Sequence, residues 1–197
     1  MHRNRMEKLF LLAALIAIPW TLRAGSDPVA KRRSAGPSKV ERGKYLVTIM
    51  GCNDCHTPFK MGPNGPEPDM TRMLSGHPET MKLPPPPAPS GPWVASFAGT
   101  FTAFAGPWGV SYAANLTPDQ STGLGIWTEE MFLKAVKTGK HMGTSRPIQP
   151  PMPWMWLGKA TDDDLKAVFA YLKSVPPIVN HVPDYQEPAS PAPVKKK

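Results

Sequence analysis

Cys52-Asn53-Asp54-Cys55-His56 decides the reading of this chain. Two thiols two residues apart, followed at once by an imidazole, form the attachment signature of a c-type haem. Each part has its own job. The thiols can add to the two vinyl groups of one porphyrin, and the His56 imidazole can then bind the iron from one face. Two bland readings compete. A zinc site needs further closely spaced ligands, yet Cys52 and Cys55 are the only cysteines, and His2, His77, His141 and His181 are scattered. A thioredoxin-like pair needs a strand before it in a βαβ unit, whereas the residues before Cys52 read as a helix. One covalently attached haem c is the expectation.

The first 24 residues support export. A basic start (Arg3, Arg5, Lys8) precedes an apolar run from Leu9 to Trp20, broken by Pro19, and a small-residue cleavage site follows Ala24. The apolar run is about a dozen residues, short of the roughly 20 that span a bilayer, so a cleaved signal peptide is expected, with a retained anchor as the alternative. Two thiols in an exported chain would ordinarily pair. Thioether formation consumes them instead, and c-type haems are added outside the cytoplasm, so motif and leader agree on a periplasmic protein.

The chain has 197 residues and a formal net charge of +8. Removing the leader brings the charge to about +5, much of it in Lys31-Arg32-Arg33 and Lys195-Lys196-Lys197. Such terminal runs are either solvated tails or a means of peripheral contact with an anionic membrane or an acidic redox partner. Export speaks against nucleic acid. Eight of the 26 prolines lie in Leu83 to Pro89 and in Pro188 to Pro193, where polyproline II or disorder is expected.

Three segments have helical periodicity. The first, from about Lys39 to Met50, has an apolar face of Val40, Tyr45, Leu46, Val47 and Met50, with Gly43 among them, and delivers the cysteines. The second, from about Thr128 to Lys140, begins at an N-cap with Glu129 and Glu130 in its first turn and ends with Lys137, Gly139 and Lys140. The third has Thr161 with Asp164 as a capping-box-like start, a stripe of Leu165, Val168, Phe169, Tyr171 and Leu172, and Pro176-Pro177 as its stop. Gly43 would let the first helix approach Tyr171 closely.

One iron face remains to be assigned. Met152 stands in Pro150-Pro151-Met152-Pro153-Trp154, where proline on each side stiffens the loop and lowers the cost of presenting a thioether. Met142 and Met155 compete, and Met61, Met70, Met73 and Met81 are not excluded by chemistry. Any of these residues could instead fill a core gap.

These blocks resemble the class I monohaem cytochromes c, and within them the periplasmic cytochromes and the cytochrome domains that accompany membrane-bound dehydrogenases. The matching residues are Gly43-Lys44-Tyr45-Leu46, Gly51 to Pro58, Ala114-Asn115-Leu116-Thr117-Pro118-Asp119 with Thr122-Gly123-Leu124-Gly125 and Trp127-Thr128, the Met152 loop, Thr161 to Leu165, and Ala170-Tyr171-Leu172. The resemblance implies an all-α cytochrome c fold around one haem, with His56 and Met152 as axial ligands and a long Pro/Gly/Met-rich loop insert at about 59–109. The segments expected are a signal peptide (1–24), a basic flexible linker (25–38), the cytochrome domain (39–185) and a Pro/Lys-rich disordered tail (186–197).

It also implies one-electron carriage between a redox donor and acceptor, such as a membrane-bound dehydrogenase or oxidase of a respiratory chain, without catalysis. A thioether ligand favours ferrous iron and raises the potential. Lys134, Lys137 and Lys140 share one helix face that either guides an acidic partner or is merely solvated. Trp108, Trp127, Trp154 and Trp156 are expected to wall the haem, with Trp127 or Arg146 at a propionate. Two alternatives stand: a relay subunit inside a dehydrogenase complex, or a peroxidase-type enzyme using His77 or His141 with Arg146.

Overall fold

A computed structural model describes residues 36–88 and 90–188. The leader, most of the basic linker and the end of the tail lie outside the described residues, and so do the expectations made for them.

Helix α1, Lys39–Ile49, starts at a full capping box: the Ser38 hydroxyl accepts from Glu41 N, and the Glu41 carboxylate accepts from Ser38 N at 2.8 Å. Helix α2, Cys52–His56, follows one turn later. Helix α3, Glu129–Thr138, is capped by the Thr128 hydroxyl and closed by Gly139 at φ 66, a left-handed conformation that glycine adopts without steric cost. Helix α4 is the short Trp154–Leu157, and α5 is Asp162–Leu172, whose Thr161 hydroxyl accepts from Asp164 N. At Thr161 this is the N-cap half of the expected box, and the complete box stands at Ser38 instead.

Helices α1 and α5 cross at Gly43. A Cβ placed there would lie 1.9 Å from the Ala167 carbonyl oxygen and 2.8 Å from Tyr171 Cβ, so the backbones meet only because position 43 has no side chain. Leu46 and Val47 of α1, Phe132 and Val136 of α3, and Leu165, Val168, Phe169 and Leu172 of α5 bury one common core, joined by Leu74 and Leu124. The Phe132 and Phe169 rings lie 5.3 Å apart. Each such side chain contributes about 1.5–3 kcal/mol when fully buried.

The all-α expectation is corrected by two small antiparallel sheets. Strands β1 (Phe59–Gly62) and β2 (Gly65–Pro68) form an exposed hairpin, and β3 (Ser96–Phe97), β4 (Ala103–Gly106) and β5 (Gly109–Tyr112) form a three-stranded sheet. The expected loop insert at 59–109 is therefore partly sheet, and its last strand runs past the expected boundary. Gly106 pairs with Gly109 around the two-residue turn Pro107-Trp108. Gln186, from the C-terminal segment, then pairs with Val110 through two backbone bonds of 2.8 and 2.9 Å. Leu83 to Ala88 have no regular structure, as the proline content predicts.

Candidate haem-attachment site

Cys52 and Cys55 stand one turn apart on α2, three residues apart and so on one helix face. Both thiols are free. Burial, aided by the Asp54 carboxylate, pushes the Cys52 thiol up to about 11 and raises Cys55 in the same direction. Both therefore keep their protons near neutrality, and among the described residues no group of His, Cys, Asp and Glu is arranged to hold a metal ion.

His56 is buried, and burial holds its imidazole below the ordinary range. Its Nδ1 lies 2.7 Å from the Ala114 carbonyl oxygen, which fixes the tautomer: Nδ1–H donates to the carbonyl, and Nε2 carries the lone pair. Among the described residues Nε2 has no hydrogen-bond partner. Two neutral thiols on one helix face, beside a neutral imidazole with an open lone pair, fit a covalently attached haem.

The Ala114 carbonyl is held by its own loop. Asn115 is buried and bonds four ways: Oδ1 accepts from Thr117 N and Thr117 Oγ1 at 3.0 and 2.7 Å, and Nδ2 donates to Ile178 O and Thr122 Oγ1 at 2.8 and 3.1 Å. Asp119 accepts from Ser121 N, Thr122 N and Thr122 Oγ1, and the Thr122 hydroxyl holds its carboxyl below the usual range. Gly76 N donates to His56 O at 2.8 Å and Leu74 N to Thr57 Oγ1 at 2.9 Å, so the segment after β2 locks the end of α2. Asn180, fully buried, ties that segment down by donating to Ser75 O and His77 O and accepting from Arg72 and Glu79 N.

Met152 is half-buried in the segment joining a 3-10 turn at His141–Gly143 to α4. Met142 is also half-buried, whereas Met155 is 52 % exposed and Met61, Met70 and Met81 are exposed. Trp108, Trp127 and Trp154 are half-buried, and Trp156 is 71 % exposed. The Trp127 ring stands edge-on to His141 at 5.1 Å, and Arg146 is exposed. His77 is sealed, with Thr102 Oγ1 2.9 Å from Nδ1 and Met81 O 3.3 Å from Nε2, so it offers no free group for a distal role. Lys137 is ion-paired with Asp162, while the Lys134 stem packs beside Gly143.

Two free thiols on one short helix, a buried imidazole held through Nδ1 by Ala114 O, and helices crossing at Gly43 fit a c-type haem protein. The family model for cytochrome c matches residues 40–176, and the chain belongs to that family, whose members carry electrons. Curated relatives include the cytochrome c subunit of the quinone-dependent alcohol dehydrogenase of Gluconobacter oxydans, 27 % identical over 95 % of this chain and 32 % of its own length. The fructose dehydrogenase cytochrome subunit of Gluconobacter japonicus is 28 % identical over 79 % of this chain and 25 % of its own length. The gluconate 2-dehydrogenase cytochrome c subunit of Pantoea cypripedii is 28 % identical over 70 % and 23 %. The chain thus spans about a third or less of the length of these relatives. Among the described residues no helix is long and apolar enough to cross a membrane.

Proposed function

We propose that this chain carries one electron at a time, on the periplasmic side, through a single haem bonded to Cys52 and Cys55 and ligated by His56 and Met152. Its donor or host is a membrane-bound dehydrogenase of a respiratory chain. The observation that carries the reading is the 2.7 Å bond from His56 Nδ1 to Ala114 O beside two free thiols on the same short helix. When bound, the haem supplies an iron that alternates between ferric and ferrous. The protein's own residues do the rest. Ala114 orients the imidazole and increases its basicity as a ligand, and Asn115 and Asp119 keep that carbonyl from moving.

The likeness to dehydrogenase cytochrome subunits supports both a freely docking carrier and a resident relay. The test is a redox titration of the mature protein combined with co-purification from solubilised membranes. A one-electron transition and recovery with a dehydrogenase are expected, with salt releasing a carrier but not a resident subunit. A titration without a one-electron transition, or turnover of peroxide by the isolated protein, would overturn the proposal.

A further inference from the structure

We infer that one strand, β5 with its continuation to Ala114, sets the spacing of the two axial ligands, and that Ser111 is the positioning residue for Met152. The inference rests on the proposed pairing of His56 with Met152. Ser111 is buried, and its hydroxyl donates to the Pro150 carbonyl oxygen at 2.5 Å, with Phe104 O a longer 3.5 Å away. Trp108 Nε1 donates to the same hydroxyl at 3.2 Å, which orients its proton away from the indole and towards Pro150. Three residues further along the same chain, Ala114 O takes the His56 proton. In extended chain that separation is roughly 10 Å.

The Met152 loop has few other handles. Pro150, Pro151 and Pro153 lack N–H groups, and the loop's own backbone bond, Met152 N to Gln149 O, is 3.3 Å long. Met152 is held from both sides instead. On one side Ser111 grips Pro150. On the other the Trp154 indole lies against Gly139, where a Cβ would come within 2.3 Å of the ring. The strand that carries Ser111 is braced in turn, because Tyr185 OH donates to Trp108 O, Gln186 pairs with Val110, and Gln186 Nε2 donates to Tyr112 OH at 2.9 Å. The sheet and the C-terminal segment are thereby tied to the Met152 loop by the Ser111 hydroxyl.

The experiment uses the full haem-loaded protein and two signals: the weak red-edge absorption band of methionine-bound ferric haem, and the helical circular dichroism. Both are followed through a urea titration for the parent protein, Ser111→Ala, Trp108→Phe and Ser38→Ala. Loss of one such hydrogen bond raises the opened-loop population roughly three- to tenfold. Ser111→Ala is therefore expected to lose the band well before the helices unfold, with Trp108→Phe shifted less in the same direction. Ser38→Ala, which removes a helix cap remote from the loop, is expected to move both signals together. Band and helix signals that stay together in Ser111→Ala would overturn the inference while leaving the axial pairing intact. A band absent from the parent, or present in Met152→Ala, would instead remove the pairing itself.

Discussion

Gly43 and Ala167 stand so close across the α1–α5 crossing that a single added methyl group at position 43 has no room beside the Ala167 carbonyl. The neighbour is backbone within α5, and it cannot swing aside as a long side chain would. Gly43→Ala must push the helices apart and open the contacts of Leu46, Val47 and Val168 behind the crossing. The expected loss is about 1–3 kcal/mol, with larger side chains worse. Urea unfolding followed by far-ultraviolet circular dichroism reads it directly, and an unchanged midpoint would refute the crossing geometry.

Asn115 is the second point of high leverage. Asn115→Ala leaves the buried Thr117 N–H without its side-chain partner, while the Ile178 carbonyl keeps the Thr117 hydroxyl at 3.3 Å. A cost of about 1–3 kcal/mol follows, the range for one buried orphan. The same change loosens Ala114 and with it the His56 imidazole. Haem-loaded Asn115→Ala should therefore bind added imidazole or cyanide more readily than the parent protein, as read by the shift of its visible spectrum.

His77 gives the fold a pH dependence whose sign is fixed by burial. Its folded pKa lies below the ordinary value, so the unfolded chain binds a proton near pH ~6.5 while the folded chain still refuses it. Stability from this group is complete above that pH and is lost as the pH falls through the window below it. Asp119 and Asp69, both held below the usual carboxylate range, add a second loss on the acid side, below about pH 4. Thermal midpoints measured against pH should fall in two stages, and His77→Gln should flatten the upper stage. A parent profile flat between pH ~7 and ~5 would contradict the buried neutral imidazole.

Among the methionines, Met152→Ala should abolish the red-edge band and lower the reduction potential, because a ligand that favours ferrous iron is lost. Met155→Ala and Met142→Ala should keep both. Retention of the band in Met152→Ala with its loss in Met142→Ala would move the ligand to the 3-10 turn.

The helices were legible because their signals are local and redundant. Caps at Thr128 and Thr161, the apolar stripe of α5 and the glycine stop at Gly139 all lie within a turn or two of the element they define. The close approach at Gly43 was foreseen towards Tyr171, and the tighter contact proves to be the Ala167 backbone. The sheets were not legible. Strands of two to four residues with glycine at four of their ends are too short for an alternating pattern to emerge, and their partners are set by contacts such as Val110 with Gln186, 76 positions apart in the chain.

The proposed attachment residues stand out by their spacing, whereas the residues packed around them do not. Nothing in the run Ala113-Ala114-Asn115 announces a carbonyl for His56, and nothing in Gly109 to Tyr112 announces a hydroxyl for Pro150. Asn115 and Ser111 act through bonds to residues tens of positions away, and only the folded chain reveals them.

Intact mass of the mature protein, measured after denaturation and solvent extraction, decides whether haem is bonded to this chain. The expected mass is the polypeptide plus one porphyrin that extraction does not remove, with Cys52→Ala and Cys55→Ala together returning the mass of the bare chain. A parent protein that carries no such added mass when produced with intact haem export would contradict that attachment.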